Sequence, residues 1–139
     1  MRAGSTGGSS RVRIATEFVE LVNSQNLNGV IAALTEQSRF FVEGEPETVG
    51  RSDLRVAWAG YFAAFPSYVI FVDEIFEEKD AIYLVGHTSG SHLPREVEQT
   101  PSSAIWRCEV VGNQISEWSI YPGSAPYRAR FGLATAPTG

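Results

Sequence analysis

Cysteine and lysine are almost missing from this 139-residue sequence, which has one of each, Cys108 and Lys79. A single cysteine excludes an intramolecular disulfide and favours a reducing compartment, so we expect a cytoplasmic protein. The arginines are scattered and form no basic run or face, which argues against nucleic-acid binding. No apolar run approaches the roughly 18 residues of a membrane span, and the first residues lack the apolar stretch of a secretion signal.

Histidine is scarce too, since only His87 and His92 are present. They fall in opposite phases of a predicted strand, and no cluster of carboxylates lies near them in sequence. Such a pair makes a poor metal site, so we expect no metal. The glycines near the start form no phosphate loop after a strand, so we expect no bound cofactor.

The composition is that of a globular protein that buries a sizeable core. Hydrophobic residues make up 43% of the chain and aromatic residues 12%, with a formal net charge of −5. A chain of this length can form one domain without disulfides or metal. We expect a flexible tail over residues 1–10, a single domain over 11–132 and a second tail over 133–139.

The first half of the sequence predicts helices. Ile14, Phe18, Leu21 and Val22 follow helical spacing, and Asn26 is placed to cap a short second helix whose buried side includes Leu34. A short strand is predicted over residues 39–42. A third helix then opens after Gly50 and ends at Pro66, with its apolar side chains on one face. Gly60 inside that helix suggests close packing there.

The second half of the sequence predicts long antiparallel strands. From Tyr68 onward apolar residues alternate with period two, and Asp73-Glu74 interrupts the alternation as a bulge does. The last hairpin runs from 104–111 to 114–121 across Gly112-Asn113. We therefore expect an α+β fold, a cone-shaped, curved mixed or antiparallel sheet with about three N-terminal helices on its concave face. A fold of this kind leaves a largely apolar pocket.

Five stretches in order resemble the nuclear transport factor 2-like superfamily, in its SnoaL-like, polyketide cyclase-like branch. They are ATEFVELVNSQNLNGVIAAL, VGRSDLRVAWAGYFAAFPSY, VDEIFEEKDAIYLVGHTSGSH, SAIWRCEVVGNQISEW and SIY, within roughly residues 12 to 121. The resemblance implies the cystatin-like cone fold. The superfamily includes ketosteroid isomerases, epoxide hydrolases, polyketide cyclases and dehydratases, together with binding proteins that have no chemistry, so function must come from the site.

The carboxylates that the resemblance implies are missing here. The family commonly has an Asp on the last strand, two residues after the tryptophan, where this chain has Ile120. A His/Asp pair that ends the first strand corresponds to Phe41 and Val42. The Arg and Asp of epoxide hydrolases have no counterpart in the strand that reads Gly86-His87-Thr88-Ser89. The usual catalytic carboxylates are therefore absent.

The leading hypothesis is a small-molecule binding protein with an aromatic-lined pocket for a small hydrophobic ligand. By strand and helix phase, the predicted lining consists of Phe41, Trp58, Tyr61, Phe62, Gly86, Trp106, Cys108, Trp118 and Ile120. Cys108 is interpreted as a buried, inert thiol because no activating His or Asp lies near it in sequence. Gly86 leaves room for a ligand or a tryptophan, and Glu117 is predicted to face away from the pocket, solvated or at an interface.

A second hypothesis is an isomerase, cyclase or hydrolase that uses a general acid/base. Its candidates are His92, as a base at the pocket rim or a histidine tied to loop backbone, and Tyr61, which orients a carbonyl or packs in the core. Glu43 is the third, drawn into the cavity or exposed beside Gly44. This hypothesis predicts that at least two such groups converge on one point of the cavity.

A third hypothesis is a dimeric interaction module without chemistry. The outward residues Val69, Phe71, Tyr83 and Val85 are unusually apolar for a solvated sheet face. An apolar strip of this kind suggests burial against a second copy of the chain. We therefore expect a homodimer through this outer face.

Overall fold

The computed structural model describes residues 9–133, which contain five helices and six strands. The helices are α1 (Ser10–Asn23), α2 (Leu27–Ala32), α3 (Arg51–Ala64), α4 (Arg95–Glu98) and α5 (Ala125–Arg130). The strands are β1 (Leu34–Val42), β2 (Thr48–Val49), β3 (Val69–Glu77), β4 (Ile82–Ser89), β5 (Ala104–Val111) and β6 (Gln114–Pro122). The predicted tails lie almost wholly outside the described residues, and the division into tail, domain and tail stays a prediction. Leu133, placed in the second tail, is buried.

The strands form one open sheet in the order β2-β1-β6-β5-β4-β3. All neighbouring strands run antiparallel except β1 and β6, which are parallel. The α+β class with a mixed sheet and N-terminal helices is therefore confirmed. The Gly112-Asn113 hairpin is also confirmed, as is a bulge at Asp73, where the β3–β4 register shifts between Val72 and Glu74.

The two faces of the sheet are covered by different parts of the chain. Helices α1, α2 and α3 pack on one face and form the larger apolar cluster, which includes Phe18, Trp58, Trp106 and Trp118. Helix α5 and the residues after it pack on the opposite face, which we call the outer face. Their cluster consists of Ala81, Tyr83, Val85, Ile105, Tyr121 and Leu133, with Phe41, Phe76, Tyr127 and Phe131 at its border.

Side-chain caps set the starts of the first two helices. The hydroxyl of Ser9 accepts a hydrogen bond from the backbone N–H of Val12 at 3.1 Å, and the Asn26 side chain accepts one from Gly29 at 2.9 Å. Each cap satisfies a backbone donor that has no partner within its helix. The prediction that Asn26 caps α2 is confirmed. Within residues 9–133, no helix has the length and apolarity that a membrane crossing requires.

Strand β1 begins five residues before the predicted start. The prediction assigned Leu34 to the second helix and opened the strand at Arg39, but α2 ends at Ala32 and Leu34 already pairs with Ile115. The Ser38 hydroxyl donates to the carbonyl of Ile115 at 3.0 Å inside the core. This pairing with β6 overrides the weak strand propensity of the polar run over 35–38.

The free edge of the sheet at β3 is partly closed by a side chain. The Asn23 amide donates to the carbonyl of Ile70 at 3.0 Å and accepts from its N–H at 2.8 Å. Asn23 therefore occupies the two backbone groups that a neighbouring strand would use at this position.

The prediction of close packing at Gly60 was wrong. A Cβ at this position would meet no atom within 4 Å, and the residue is exposed on α3.

Candidate functional site

A cavity of about 350 Å³ lies between α3 and the parallel strands β1 and β6. Side chains of β1 and β6 form one wall of the cavity, and α3 forms the opposite wall. The rim is closed by the turn after β1, the segment between α3 and β3, and the loop after β4. The lining residues are Phe40, Val42, Glu45, Ala57, Trp58, Tyr61, Phe65, Tyr68, His92 and Ile120. The size and composition are those of a pocket for a small organic molecule.

Aromatic rings form the helical wall of the cavity. Trp58 contacts Phe40 with ring centroids 5.8 Å apart, and Tyr61 contacts Phe65 at 4.7 Å. Tyr61 also meets Tyr68 edge to face at 4.9 Å. Aromatic rings attract each other in edge-to-face and offset arrangements. These contacts therefore hold the rings of α3 against the sheet and against the start of β3.

One side of the rim is polar. The hydroxyl of Tyr61 and Nδ1 of His92 lie 2.9 Å apart, and the backbone N–H of His92 donates to the Tyr61 oxygen at 3.3 Å. Two groups that can donate and accept protons therefore meet at one point of the cavity wall.

A carboxylate behind this rim is held by the loop after β4. Glu98 accepts hydrogen bonds from the backbone N–H of Ser91 at 2.7 Å and from the Ser91 hydroxyl. Burial alone would raise the pKa of Glu98, but these bonds, with a longer one from Thr88, hold it below its ordinary value. Glu98 therefore carries a negative charge near neutral pH.

Burial raises the pKa of both cavity tyrosines. For Tyr61 burial is the largest cause, and the charge of Glu98 adds to it while the N–H of His92 opposes it. For Tyr68 burial again dominates, and Tyr61 and Glu98 add to it. Both side chains are therefore neutral phenols with a proton to donate.

The predicted lining is divided between the cavity and the core beside it. Trp58, Tyr61, Ile120 and the candidate base His92 line the cavity. Four other predicted residues lie in the apolar cluster between helices and sheet and do not line the cavity: Phe62, Trp106, Cys108 and Trp118. They face the predicted side of the sheet but are covered by other side chains.

Several lining residues were not predicted. Phe40, Val42, Ala57 and Phe65 add apolar wall, while Glu45 and Tyr68 add polar groups. The phase of α3 already placed Phe65 on the apolar face, and Tyr68 opened the predicted strand pattern. Glu45 lies in a turn, where period-two reasoning says nothing about orientation.

Phe41 lies on the other face of the sheet from the cavity, contrary to expectation. Its neighbours Phe40 and Val42 pair with Trp118 and Ile120 in the β1–β6 register and line the cavity. Alternation then turns Phe41 toward Tyr121, with ring centroids 5.9 Å apart.

Gly86 makes room for backbone rather than for a ligand. A Cβ at this position would lie 1.8 Å from the carbonyl oxygen of Phe71. Only glycine allows β3 to approach β4 this closely beside the bulge.

Glu43 and Glu117 take no part in the cavity. Glu43 accepts a hydrogen bond from the Tyr127 hydroxyl at 2.6 Å on the outer face. Glu117 also faces away from the cavity, as predicted, but it is 7% exposed rather than solvated. It accepts from Ser119 and Arg107, each at 2.6 Å, and pairs with Arg39. Its charge stabilises an ion network and does not reach the site.

The apolar outer face has a covering within the chain. Tyr83 and Val85 are buried in the cluster formed with α5 and Leu133, and the Phe131 ring lies 5.1 Å from that of Tyr83. Phe71 is 44% exposed and stacks on His87, and Val69 is half-buried. Half of the predicted dimer surface is therefore covered by the same molecule.

Within residues 9–133, no three His, Cys, Asp or Glu side chains are arranged to hold a metal ion. The lone Cys108 is buried, and burial raises the pKa of its thiol to about 12. This thiol is not activated as a nucleophile.

The sequence matches the family model of the SnoaL-like domain over residues 15–118. The matched region includes α3, β1 and the loop that carries His92. No protein of curated function matches the chain significantly.

Solved structures with the same fold are distant in sequence. A cystatin-fold protein from Novosphingobium aromaticivorans has 16% identity and a TM-score of 0.67, covering 82% of this chain and 99% of its own. A candidate polyketide cyclase from Sinorhizobium meliloti has 15% identity and a TM-score of 0.66, with 78% and 94% covered. The epoxide hydrolase/cyclase-like enzyme SalBIII, from pyran ring formation in salinomycin, has 13% identity and a TM-score of 0.66, with 81% and 89% covered. These similarities show the shared fold.

Proposed function

The chain belongs to the SnoaL-like domain family, and we propose that it binds a small, largely apolar molecule in the cavity against α3. The observation that carries this proposal is an aromatic cavity of about 350 Å³ with few polar groups among its lining residues. Burial of apolar surface supplies affinity at roughly 25 cal/mol per Å², and a few polar contacts fix orientation. The aromatic rings of Trp58, Tyr61 and Phe65 in the cavity lining favour a flat ligand that can pack against them.

The test is a titration with the neutral fluorescent naphthyl ketone prodan, whose emission shifts to the blue in apolar surroundings. Ala57→Phe places a ring in the cavity wall, and we expect it to weaken binding at least tenfold. Ala63→Phe adds the same ring at an exposed position of α3 outside the lining and is the matched control. The proposal fails if prodan emission does not change with the unsubstituted protein, or if Ala57→Phe binds prodan equally well.

An acid/base enzyme is the second candidate, because Tyr61 and His92 converge on one point of the cavity wall as that hypothesis required. With the proton on Nδ1 donated to the Tyr61 oxygen, Nε2 of His92 is free to take a proton from a carbon next to a carbonyl. The Tyr61 hydroxyl then donates to the carbonyl oxygen as negative charge develops there. The proton returns to carbon from His92 when the carbonyl re-forms.

This second candidate is tested by deuterium exchange at the methylene beside the prodan carbonyl, followed by mass spectrometry in heavy water. An enzyme accelerates exchange above the rate in buffer, and His92→Asn removes the acceleration while prodan still binds. Exchange at the buffer rate with prodan bound excludes proton abstraction by His92 and leaves the binding function in place.

A homodimer stays part of the proposal, with a smaller contact than the sequence suggested. Tyr83 and Val85 are covered by α5, so only Val69 and Phe71 of the predicted strip remain open to a second copy. Sedimentation of the unsubstituted chain and of Phe71→Ser tests this, since a dimer through β3 weakens in the variant. The cytoplasmic location likewise stays a prediction.

A further inference from the structure

Tyr68 is a buried polar side chain whose hydroxyl is unused by the fold. The residue is 6% exposed, lines the cavity and lies directly before β3. Among residues 9–133 its hydroxyl has no hydrogen-bond partner, whereas those of Tyr61, Tyr83 and Tyr127 are each bonded. The oxygen is not among the fully buried side-chain atoms that lack a partner in the described part of the chain, so it is open to the cavity. Such a donor at a cavity wall points to an acceptor on the molecule that fills the cavity.

The position of Tyr68 is set by its surroundings rather than by the hydroxyl. Its ring meets Tyr61 edge to face, and Tyr61 is itself held by His92. The backbone N–H of Tyr68 donates to the carbonyl of Phe65 at 3.1 Å, which closes the turn after α3. The hydroxyl is therefore held in place before any ligand binds, which limits the entropy lost on binding.

The charges near Tyr68 disfavour an anion. Glu98 lies close enough to raise the pKa values of Tyr61 and Tyr68, and Glu45 lines the cavity. Within residues 9–133 no Lys or Arg side chain lines the cavity to offset these carboxylates. A ligand carboxylate would lose its hydration and meet like charge, while a neutral carbonyl would lose little.

We propose that Tyr68 donates a hydrogen bond to a neutral acceptor oxygen of the ligand, so that the cavity selects flat, uncharged carbonyl compounds over hydrocarbons and carboxylates of the same shape. This inference rests on the proposed binding function and adds the ligand class to it. Tyr68 acts here as a specificity-determining residue. Tyr61 remains bonded to His92 in this arrangement.

Three naphthalenes of matched shape test the proposal by calorimetric titration: 2-acetylnaphthalene, 2-ethylnaphthalene and 2-naphthoate. We expect the ketone to bind roughly three- to tenfold more tightly than the hydrocarbon, the range of one neutral hydrogen bond, and the carboxylate to bind most weakly. Tyr68→Phe should bring the ketone to the affinity of the hydrocarbon and leave the hydrocarbon unchanged. Tyr121→Phe is the matched control, because Tyr121 also lacks a hydroxyl partner within residues 9–133 but lies in the outer cluster.

The outcomes separate this inference from the binding function. If the hydrocarbon binds but the ketone binds no better, or if Tyr68→Phe keeps the preference for the ketone, the role of Tyr68 is refuted and the binding function stands. Tightest binding of the carboxylate refutes the selection by charge. If none of the three probes binds the unsubstituted protein, the binding function fails and this inference with it. Thermal unfolding of Tyr68→Phe checks that the variant folds. If it does not fold, the ratio of the affinities of the unsubstituted protein for the ketone and the hydrocarbon still tests the preference for a carbonyl.

Discussion

Among single residues, Glu117 shows how the sheet separates structural charge from the site. It neighbours Trp118 in sequence, yet alternation places it on the outer face, where Arg107, Arg39 and Ser119 all contact its carboxylate. A buried carboxylate is tolerated only when its charge and lone pairs have partners. Glu117 is thereby committed to the ion network.

Glu117→Gln keeps the shape of the side chain and removes its charge. We expect the free energy of unfolding to fall by about 2 kcal/mol, because Arg107 and Arg39 lose a charged acceptor. Denaturation in guanidinium chloride measures the change. Glu20→Gln is the control, since Glu20 is exposed and its side chain forms no ion pair among residues 9–133. A loss under about 0.5 kcal/mol, the range of ordinary surface substitutions, would contradict the prediction.

The buried thiol of Cys108 makes the free energy of unfolding fall as the pH rises above about 9. Burial, with a contribution from the charges of Glu117 and Glu109, raises the pKa of its thiol from 9.0 to about 12. Because the folded pKa is raised, the stabilisation is fully present below about pH 9, where the unfolded chain also keeps the proton, and is lost as pH rises toward 12. Between pH 8 and pH 10 the unsubstituted protein should lose about 1.4 kcal/mol more than Cys108→Ala, measured by denaturation at each pH. Parallel pH profiles of the two proteins would refute this.

Residue phase predicted part of the site and missed the rest for definite reasons. Trp58, Tyr61 and Ile120 line the cavity because helix period and strand alternation extend regularly up to them, whereas His92 lies in the loop after β4, beyond the regular strand. The run Phe40-Phe41-Val42 is apolar throughout, so its alternation carries no information and only pairing with β6 decides which ring faces the cavity. The absence of a partner at the Tyr68 hydroxyl depends on contacts between distant segments, which the sequence does not display.

At the scale of elements, α5 covers half of the apolar strip that the sequence predicted to contact a second copy. The apolar strip with Tyr83 and Val85 was interpreted as an interface, because α5 is six residues long and too short to stand out in the sequence. The helix packs on this strip, and Arg128 pairs with Glu74 at 3.3 Å to fix it against β3. A short terminal helix thus covers apolar surface inside one molecule.

Leu133→Ala tests the contribution of this covering. Leu133 is buried in the outer cluster, and its N–H donates to the carbonyl of Arg128 at 2.9 Å. We expect a loss of about 2 kcal/mol in the free energy of unfolding, at the low end for a buried leucine because the outer cluster is the smaller of the two apolar clusters.

The control for this substitution is Val111→Ala in the last hairpin, where the side chain is 62% exposed. It should change stability by less than about 0.5 kcal/mol. Equal losses for the two variants would show that α5 and Leu133 contribute nothing specific to stability.

Elements were predicted well where periodicity was regular and poorly where pairing or close approach decided the structure. The capped helix after Asn26, the bulge at Asp73 and the last hairpin followed from local pattern. The early start of β1 depends on parallel pairing with a strand about eighty residues later in the chain. Gly86 looked like space for a ligand, but the space is taken by the backbone of Phe71.

For the whole molecule, the excess of acidic over basic side chains determines how solubility depends on pH. The formal net charge is −5 near neutral pH, and the calculated isoelectric point is about 5.0. We expect solubility to be lowest near pH 5, because repulsion between molecules disappears there. Precipitation by polyethylene glycol across a pH series measures this. Glu36→Lys, at an exposed position, should move the minimum to higher pH, and a minimum that does not move would contradict the prediction.

The amide of Asn23 has a consequence for crowded solutions. Because the Asn23 side chain bonds both the N–H and the carbonyl of Ile70, another polypeptide cannot form backbone hydrogen bonds with β3 at this residue. The opposite border of the sheet is β2, only two residues long, and gives growth little to build on. Fibril-like stacking of native molecules is thus hindered at both margins, by the Asn23 side chain at β3 and by the short length of β2.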